Sequence, residues 1–151
     1  MKILLAVDRS KYSAAAIEEV AKRPWPKNST VRVLSVVEPY PAIAVEPWAG
    51  GRESLETLDR EMKRQADNLT RKTVARLKTK ELKVEAVVRT GGPSSEIIDE
   101  ARKWSADLIV LGSHGYTGVK RLILGSVAFS VVGHAPCSVE VVRRRQSKKS
   151  R

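Results

Sequence analysis

The stretch DLIVLGSHGYTGVKRLILGS, residues 107–126, leaves this chain fewer folding options than any other part of it. Leu108, Ile109, Val110 and Leu111 form a continuous apolar run with two β-branched members, which is the pattern of a strand covered on both faces. The run stops abruptly at Gly112. Gly115 and Gly118 follow, nine residues separate Gly115 from Gly125, and Ser126 opens an apolar helical pattern through Val127, Val131 and Val132. The order is strand, glycine loop, helix start. Glycines let the backbone turn so that several N–H groups can point at one anion, and a helix start adds unpaired donors and the positive end of its dipole. Such a loop suits a phosphate, and the competing reading is a plain tight turn between strand and helix.

Two common phosphate motifs are excluded. No Gly stands five residues before a Gly-Lys-Ser/Thr, and no G-x-G-x-x-G occurs. The rest of the composition narrows the class of protein. With 151 residues, 42% apolar and 30% charged, the chain reads as one globular domain over residues 1–142. No apolar run approaches the roughly 20 residues of a membrane span, and the apolar stretch Ile3 to Val7 meets Asp8 without a cleavage-site pattern, so the expected location is the cytoplasm, with no membrane contact. Cys137 is the single cysteine; with two histidines it makes neither a disulfide nor a metal cluster, and it reads as a small buried apolar residue. The net charge of +11 is concentrated in the last nine residues, RRRQSKKSR, whose six basic groups leave only +5 for the 142 residues before them. That tail, 143–151, is expected to be a disordered, solvated terminus, with a weak, salt-sensitive nucleic-acid contact as its functional alternative.

Elsewhere the pattern alternates between strands and helices. Lys2 to Val7 reads as a strand ending at Asp8, followed by a helix capped by Ser10 or Ser13 and carrying Ala14, Ile17, Val20 and Ala21. Thr30 to Val37 is a second strand, and the 14 residues EPYPAIAVEPWAGG after it make an unusually long connection. Leu55, Leu58, Met62, Ala66, Leu69, Thr73 and Leu77 recur at helical spacing and predict one long amphipathic helix from about Glu53 to Lys80, its wet face carrying Glu56–Arg60, Asp59–Lys63 and Asp67–Arg71 pairs. Lys83 to Arg89 alternates as a third strand, Gly91-Gly92-Pro93 begins a helix with Ile97, Ile98, Ala101 and Trp104, and Cys137 to Val142 makes a fifth strand. Five strands alternating with four helices predict an open parallel sheet with helices on both faces. Ligands in such sheets bind at the carboxyl ends of strands where the strand order reverses.

The spacing Gly112, Gly115, Gly125, Ser126 closely resembles the G-x2-G-x9-G-S/T signature of the universal stress protein family, and VDRS near the start with HAPCSVEVV near the end extends the resemblance from Lys2 to about Arg143. The resemblance implies a Rossmann-like sheet of the adenine nucleotide alpha hydrolase-like kind, strand order 3-2-1-4-5, with ATP, alone or with Mg, at the switch between strands 1 and 4. Ala6, Val7, Val36 and Val37 would then line the adenine. Asp8 would accept a hydrogen bond from a ribose hydroxyl or the adenine amine, unless it serves as a helix cap. Leu111, Gly112, Ser113, His114, Gly115, Gly125, Ser126 and Val127 would follow the phosphates and ribose. The resemblance also implies a homodimer through the fifth strand, with Glu140 facing Arg143 or Arg144 of a second copy, and a regulatory or stress-response role exerted on an unnamed protein partner.

Two residues depart from the family pattern: Ala128 stands where many relatives carry a hydroxyl or polar side chain, and Glu140 where an apolar residue is usual. His114 has no carboxylate partner identifiable in the sequence, while Lys120 and Arg121 read as solvated groups able to screen phosphate charge. No nucleophile and base pair is recognisable, so an ATPase would be weak at most. A nucleotide-free interaction protein of the same fold stays open. An adenylate-forming or pyrophosphatase-type enzyme is disfavoured, because AVDRS lacks the glycines of S-G-G-x-D-S, and a flavin-binding electron carrier is disfavoured less strongly.

Overall fold

The computed structural model of the protein describes residues 1–39, 51–79, 81–115 and 124–143, with backbone alone at 51–54. Most of the long connection after the second strand, Gly118, Lys120 and Arg121 in the glycine loop, and the tail beyond Arg143 lie outside the described residues. The elements are β1 (Lys2–Ala6), α1 (Lys11–Lys22), β2 (Thr30–Val37), α2 (Gly51–Leu77), β3 (Lys83–Thr90), α3 (Pro93–Trp104), β4 (Leu108–Gly112), α4 (Ser126–His134) and β5 (Ser138–Val142).

The strands form one sheet in the order β3-β2-β1-β4-β5, and every neighbouring pair is parallel, as anticipated. Ile3 of β1 stands opposite Val31 of β2 on one side and Leu108 of β4 on the other, so β1 is central. Because side chains alternate along a strand, β1 feeds two cores at once. Ile3, Leu5 and Val7 join Ala16 and Val20 of α1 and Leu77 of α2, whereas Leu4 joins Ile97, Ile98 and Ala101 of α3 and Ala128 and Val131 of α4. Helices α1 and α2 cover one face; α3 and α4 cover the other.

Apolar periodicity located the elements but not every buried position. Leu58 of α2 and Val132 of α4 are exposed, 43% and 51%, although both fall in the apolar pattern of their helices. Two threonines on the buried stripe of α2 satisfy their hydroxyls within the helix: Thr70 donates to the Asp67 carbonyl at 3.0 Å and Thr73 to that of Leu69 at 2.9 Å. Cys137 is half-buried against the second core, and that burial, with the Asp107 carboxylate nearby, pushes its thiol pKa up. On the wet side of α2 the Asp59–Lys63 pair forms at 2.8 Å, while Arg60 reaches the backbone carbonyl of Glu56 instead of its carboxylate.

Ion pairs hold both outer parts of the sheet. Glu140 of β5 takes both terminal nitrogens of Arg23, at 2.6 and 2.7 Å, so its carboxylate is engaged within the chain by the end of α1, where a second copy's Arg143 or Arg144 had been expected. Those bonds, with one that Arg23 donates to Glu19, hold its guanidinium above its usual pKa, and it lies 5.0 Å from the Trp25 ring. On the other side Glu100 of α3 is only 3% exposed. It accepts from Arg32 of β2 at 2.7 Å and from Arg89 of β3 at 2.8 and 2.9 Å, and Arg32 also reaches Glu85 while lying 4.3 Å over the Trp104 ring.

Burial raises the Glu100 carboxyl, but the bonds from Arg89 and Arg32 outweigh it, and the net pKa falls below the ordinary 4.5. A carboxyl depressed in the fold contributes stability that is complete above its unfolded value and fades as the pH falls through the lower folded value. Glu100→Gln is therefore expected to cost about 2 kcal/mol at neutral pH, the scale of hydrogen bonds to a charged group. Urea denaturation should show the gap from wild type closing below the ordinary carboxylate range; a gap independent of pH would overturn this assignment.

Candidate functional site

The carboxyl ends of β1 and β4 adjoin, and the chain leaves them toward opposite faces: α1 follows β1 on one side and α4 follows β4 on the other. The crevice between them is built from short polar turns. After the Val7 N–H donates to the Leu34 carbonyl at 2.8 Å, the chain turns at Asp8. The Asp8 N–H donates to Ser13 Oγ at 3.0 Å, the Ser10 N–H to Asp8 Oδ1 at 2.9 Å, and the Ser13 N–H to Ser10 Oγ at 3.0 Å. Ser10 is thus the helix cap, and Asp8 shapes the turn before it. Asp8 is left at the mouth of the crevice, not in the first turn of the helix.

Across from it, Gly112 ends β4 against α1. A Cβ at Gly112 would stand 2.6 Å from the Tyr12 carbonyl carbon and 2.8 Å from the Ser13 nitrogen, so the close approach of two backbones demands glycine there. The Ser113 N–H donates to the Val142 carbonyl at 2.9 Å, and the Gly125 N–H donates to the Ser113 carbonyl at 2.8 Å, which brings the two ends of the glycine loop together. Ser10 Oγ donates to the His114 carbonyl at 3.3 Å, and the His114 ring lies 5.0 Å from that of Tyr12. A Cβ at Gly115 would lie 3.2 Å from Asp8 Oδ2, so the acidic strand end and the glycine loop meet. Helix α4 begins at Gly125 with no side-chain cap, in contrast to α1, leaving its first N–H groups to whatever lies before them.

These elements border a cleft of about 300 Å³. Of the residues anticipated from sequence, Ala6, Val7, Asp8, Val36, Val37, Leu111, Gly112, His114, Gly115 and Val127 line it. Ser113, Gly125 and Ser126 do not: Ser113 is buried, the Gly125 N–H donates to the Ser113 carbonyl, and Ser126 is exposed on the first turn of α4. His114 is half-buried, its ring tilted against that of Tyr12.

Sequence reasoning missed one wall. Met62, Gln65, Ala66 and Leu69 of α2 line the cleft together with Ser35 of β2 and Glu38 just beyond that strand, and Pro93 and Ile97 of α3 line it as well. The period of α2 marked Met62, Ala66 and Leu69 as sheet-facing, but nothing in it distinguished residues over a core from residues over a cavity. Ala128, where a polar group was noted as usual, lines the cleft as well.

Comparison with known proteins identifies the family and the fold. The model of the universal stress protein family matches residues 1–143. A universal stress protein of Methanocaldococcus jannaschii is 31% identical over 143 residues, covering 95% of this chain and 82% of that protein. The solved structure of a second protein from that archaeon superposes with a TM-score of 0.85 at 28% identity, covering 97% of each chain. A family protein of Arabidopsis thaliana, solved with AMP bound, shares the fold with a TM-score of 0.68 at 21% identity, covering 96% of this chain and 92% of that one.

The glycines Gly112, in the crevice, and Gly133, in the last turn of α4, are separable by what surrounds them. Gly112→Ala forces a methyl into the backbone of α1 and is expected to destabilise the protein by about 1–3 kcal/mol, the usual cost of overpacking. Gly133→Ala in α4, where a Cβ would meet nothing within 4 Å, is expected to leave stability unchanged or raise it by about 0.5–1 kcal/mol. Thermal unfolding of the two variants checks both signs, and a harmless Gly112→Ala would contradict the close approach.

Proposed function

The chain belongs to the universal stress protein family, and on that premise we propose that it binds an adenine nucleotide, ATP in the first place, in the cleft at the carboxyl ends of β1 and β4. In this reading the adenine lies among Ala6, Val7, Val36 and Val37. Asp8 accepts from the ribose or the adenine amine, and the phosphates run along Leu111, Gly112, Ser113, His114 and Gly115 toward Gly125, Ser126 and Val127. Mg would accompany the triphosphate as its counter-ion.

The observation that carries the reading is the convergence of Asp8 with Gly115 beside the uncapped start of α4: an acceptor suited to a hydroxyl and a set of backbone donors suited to phosphate border one cavity. The AMP-bound Arabidopsis thaliana protein has this fold, at an identity too low to carry its ligand across by itself. Binding is favoured over catalysis. The only close hydroxyl and imidazole at the loop, Ser113 Oγ and His114 Nδ1 at 3.2 Å among the described residues, include a serine that is buried and does not line the cleft. Nucleotide occupancy would then alter the glycine loop and the surface it offers to a protein partner in the cytoplasm, which is a regulatory or stress-response role.

Calorimetric titration of protein stripped of ligand tests the site. Asp8→Asn keeps an acceptor for the Ser10 N–H, and hence the α1 cap, but removes the charge. It is expected to weaken ATP and adenosine alike by about tenfold or more, the scale of a charge-assisted hydrogen bond. Folded wild type that neither gives heat nor competes with millimolar ATP would replace this reading with that of a nucleotide-free interaction protein.

Assembly follows from the sheet edge. We place a homodimer contact at β5, which ends the sheet beside α4, where Phe129 and Val132 are 73% and 51% exposed. An open strand edge with apolar groups next to it favours pairing. Sedimentation equilibrium at micromolar concentration is expected to give a dimer that Phe129→Glu dissociates without loss of folding; a monomeric wild type would sink the proposal.

A further inference from the structure

Ser35 is out of place by every rule that governs the rest of its strand. It shares one face of β2 with Val31 and Val33, which are fully buried in the core beneath α1 and α2, and it is itself only 5% exposed. The other buried hydroxyls are all engaged. Ser10 and Ser13 hold the turn at Asp8, Ser29 donates to the Pro26 carbonyl at 2.6 Å, Thr70 and Thr73 bond within α2, and Ser113 lies against His114. Ser35 makes no side-chain hydrogen bond among the described residues.

No fully covered side-chain nitrogen or oxygen of the described residues lacks a partner, so the Ser35 hydroxyl must open onto free space. The space it borders is the cleft. A valine there would continue the strand pattern and bury apolar area, whereas a hydroxyl on that face contributes nothing to the fold. Its position in the cleft is also informative. β2 lies on the opposite side of β1 from β4, so two strand spacings, about 10 Å, separate Ser35 from the strand that carries the glycine loop. Gln65 of α2 adds a second polar side chain to the same wall, between Met62 and Leu69.

We propose that the Ser35 hydroxyl is a specificity-determining contact to the base of the bound nucleotide, made on the β2–α2 wall far from the phosphates. The inference rests on the nucleotide reading above and assigns to it a residue that no part of the glycine signature includes. Ser35 reads a polar edge of the base, and the apolar Met62, Ala66 and Leu69 around it exclude the water that would otherwise compete for that bond.

The test is calorimetric titration of wild type, Ser35→Ala and Ser35→Thr with ATP, GTP and 2′-deoxy-ATP, together with thermal unfolding of each protein without ligand. Ser35→Ala is expected to weaken ATP by about three- to tenfold, the range of one neutral hydrogen bond. The preference for ATP over GTP should narrow, while the ratio of ATP to 2′-deoxy-ATP stays that of wild type. Ser35→Thr, which keeps the hydroxyl, should retain the preference. The unfolding midpoint of Ser35→Ala should equal or exceed that of wild type, because no bond within the fold is lost. Unchanged ATP affinity in Ser35→Ala, a shifted ribose ratio or a lowered midpoint each overturns the assignment. A wild type that binds none of the three nucleotides removes the nucleotide reading together with this one, whereas a wild type that binds ATP no better than Ser35→Ala removes this one alone.

Discussion

Everything in this molecule depends on β1 being buried on both faces. A strand in that position cannot be followed by a hairpin. Each parallel neighbour requires a crossover, and the crossovers to β2 and β4 leave by opposite faces of the sheet. Where they part, the carboxyl ends of β1 and β4 stand side by side and border the cleft. The crevice is a consequence of the topology before any side chain is chosen.

Short polar turns then give that crevice its chemistry. Backbone groups at the end of a buried strand must find partners: the Asp8 N–H finds Ser13 Oγ after β1, and after β4 the Ser113 N–H finds the Val142 carbonyl while the Ser113 carbonyl accepts from the Gly125 N–H. Those bonds hold the glycine loop against the first turn of α1 closely enough that Gly112 has no room for a side chain. The N–H groups that begin α3 and α4 have no side-chain cap, and the hydroxyl of Ser35 has no partner among the described residues. A fold that satisfies its polar groups almost everywhere is most informative at the places where it does not.

The two outer parts of the sheet are secured by charge as well as apolar area. Arg32 and Arg89 converge on Glu100 beneath α3, and Arg23 joins the end of α1 to Glu140 of β5. Arg89 ties the outer strand β3 to α3, Arg32 ties β2 to the same carboxylate, and Arg23 ties the outer strand β5 to the end of α1. The cleft walls supplied by α2 and α3 therefore sit on a sheet whose sides are tied down.

The sequence by itself determined the number, kind and order of the elements, because two-residue and three-to-four-residue apolar periods are local and few other patterns bury so much β-branched surface. It also marked Asp8 and the glycines from Gly112 to Gly125, since an acidic residue ending an apolar strand and a glycine loop opening a helix can be read within a short window. The strand order came from the family resemblance and was settled by the fold, for pairing joins residues such as Ile3 and Leu108 that are far apart in the chain. The tertiary structure alone decided that Glu140 belongs to Arg23, that Glu100 is buried between two arginines, and that Ser35 and Gln65 share a cleft wall. Nothing local distinguishes a serine over a core from a serine over a cavity: the difference lies in what a distant helix does or does not place above it.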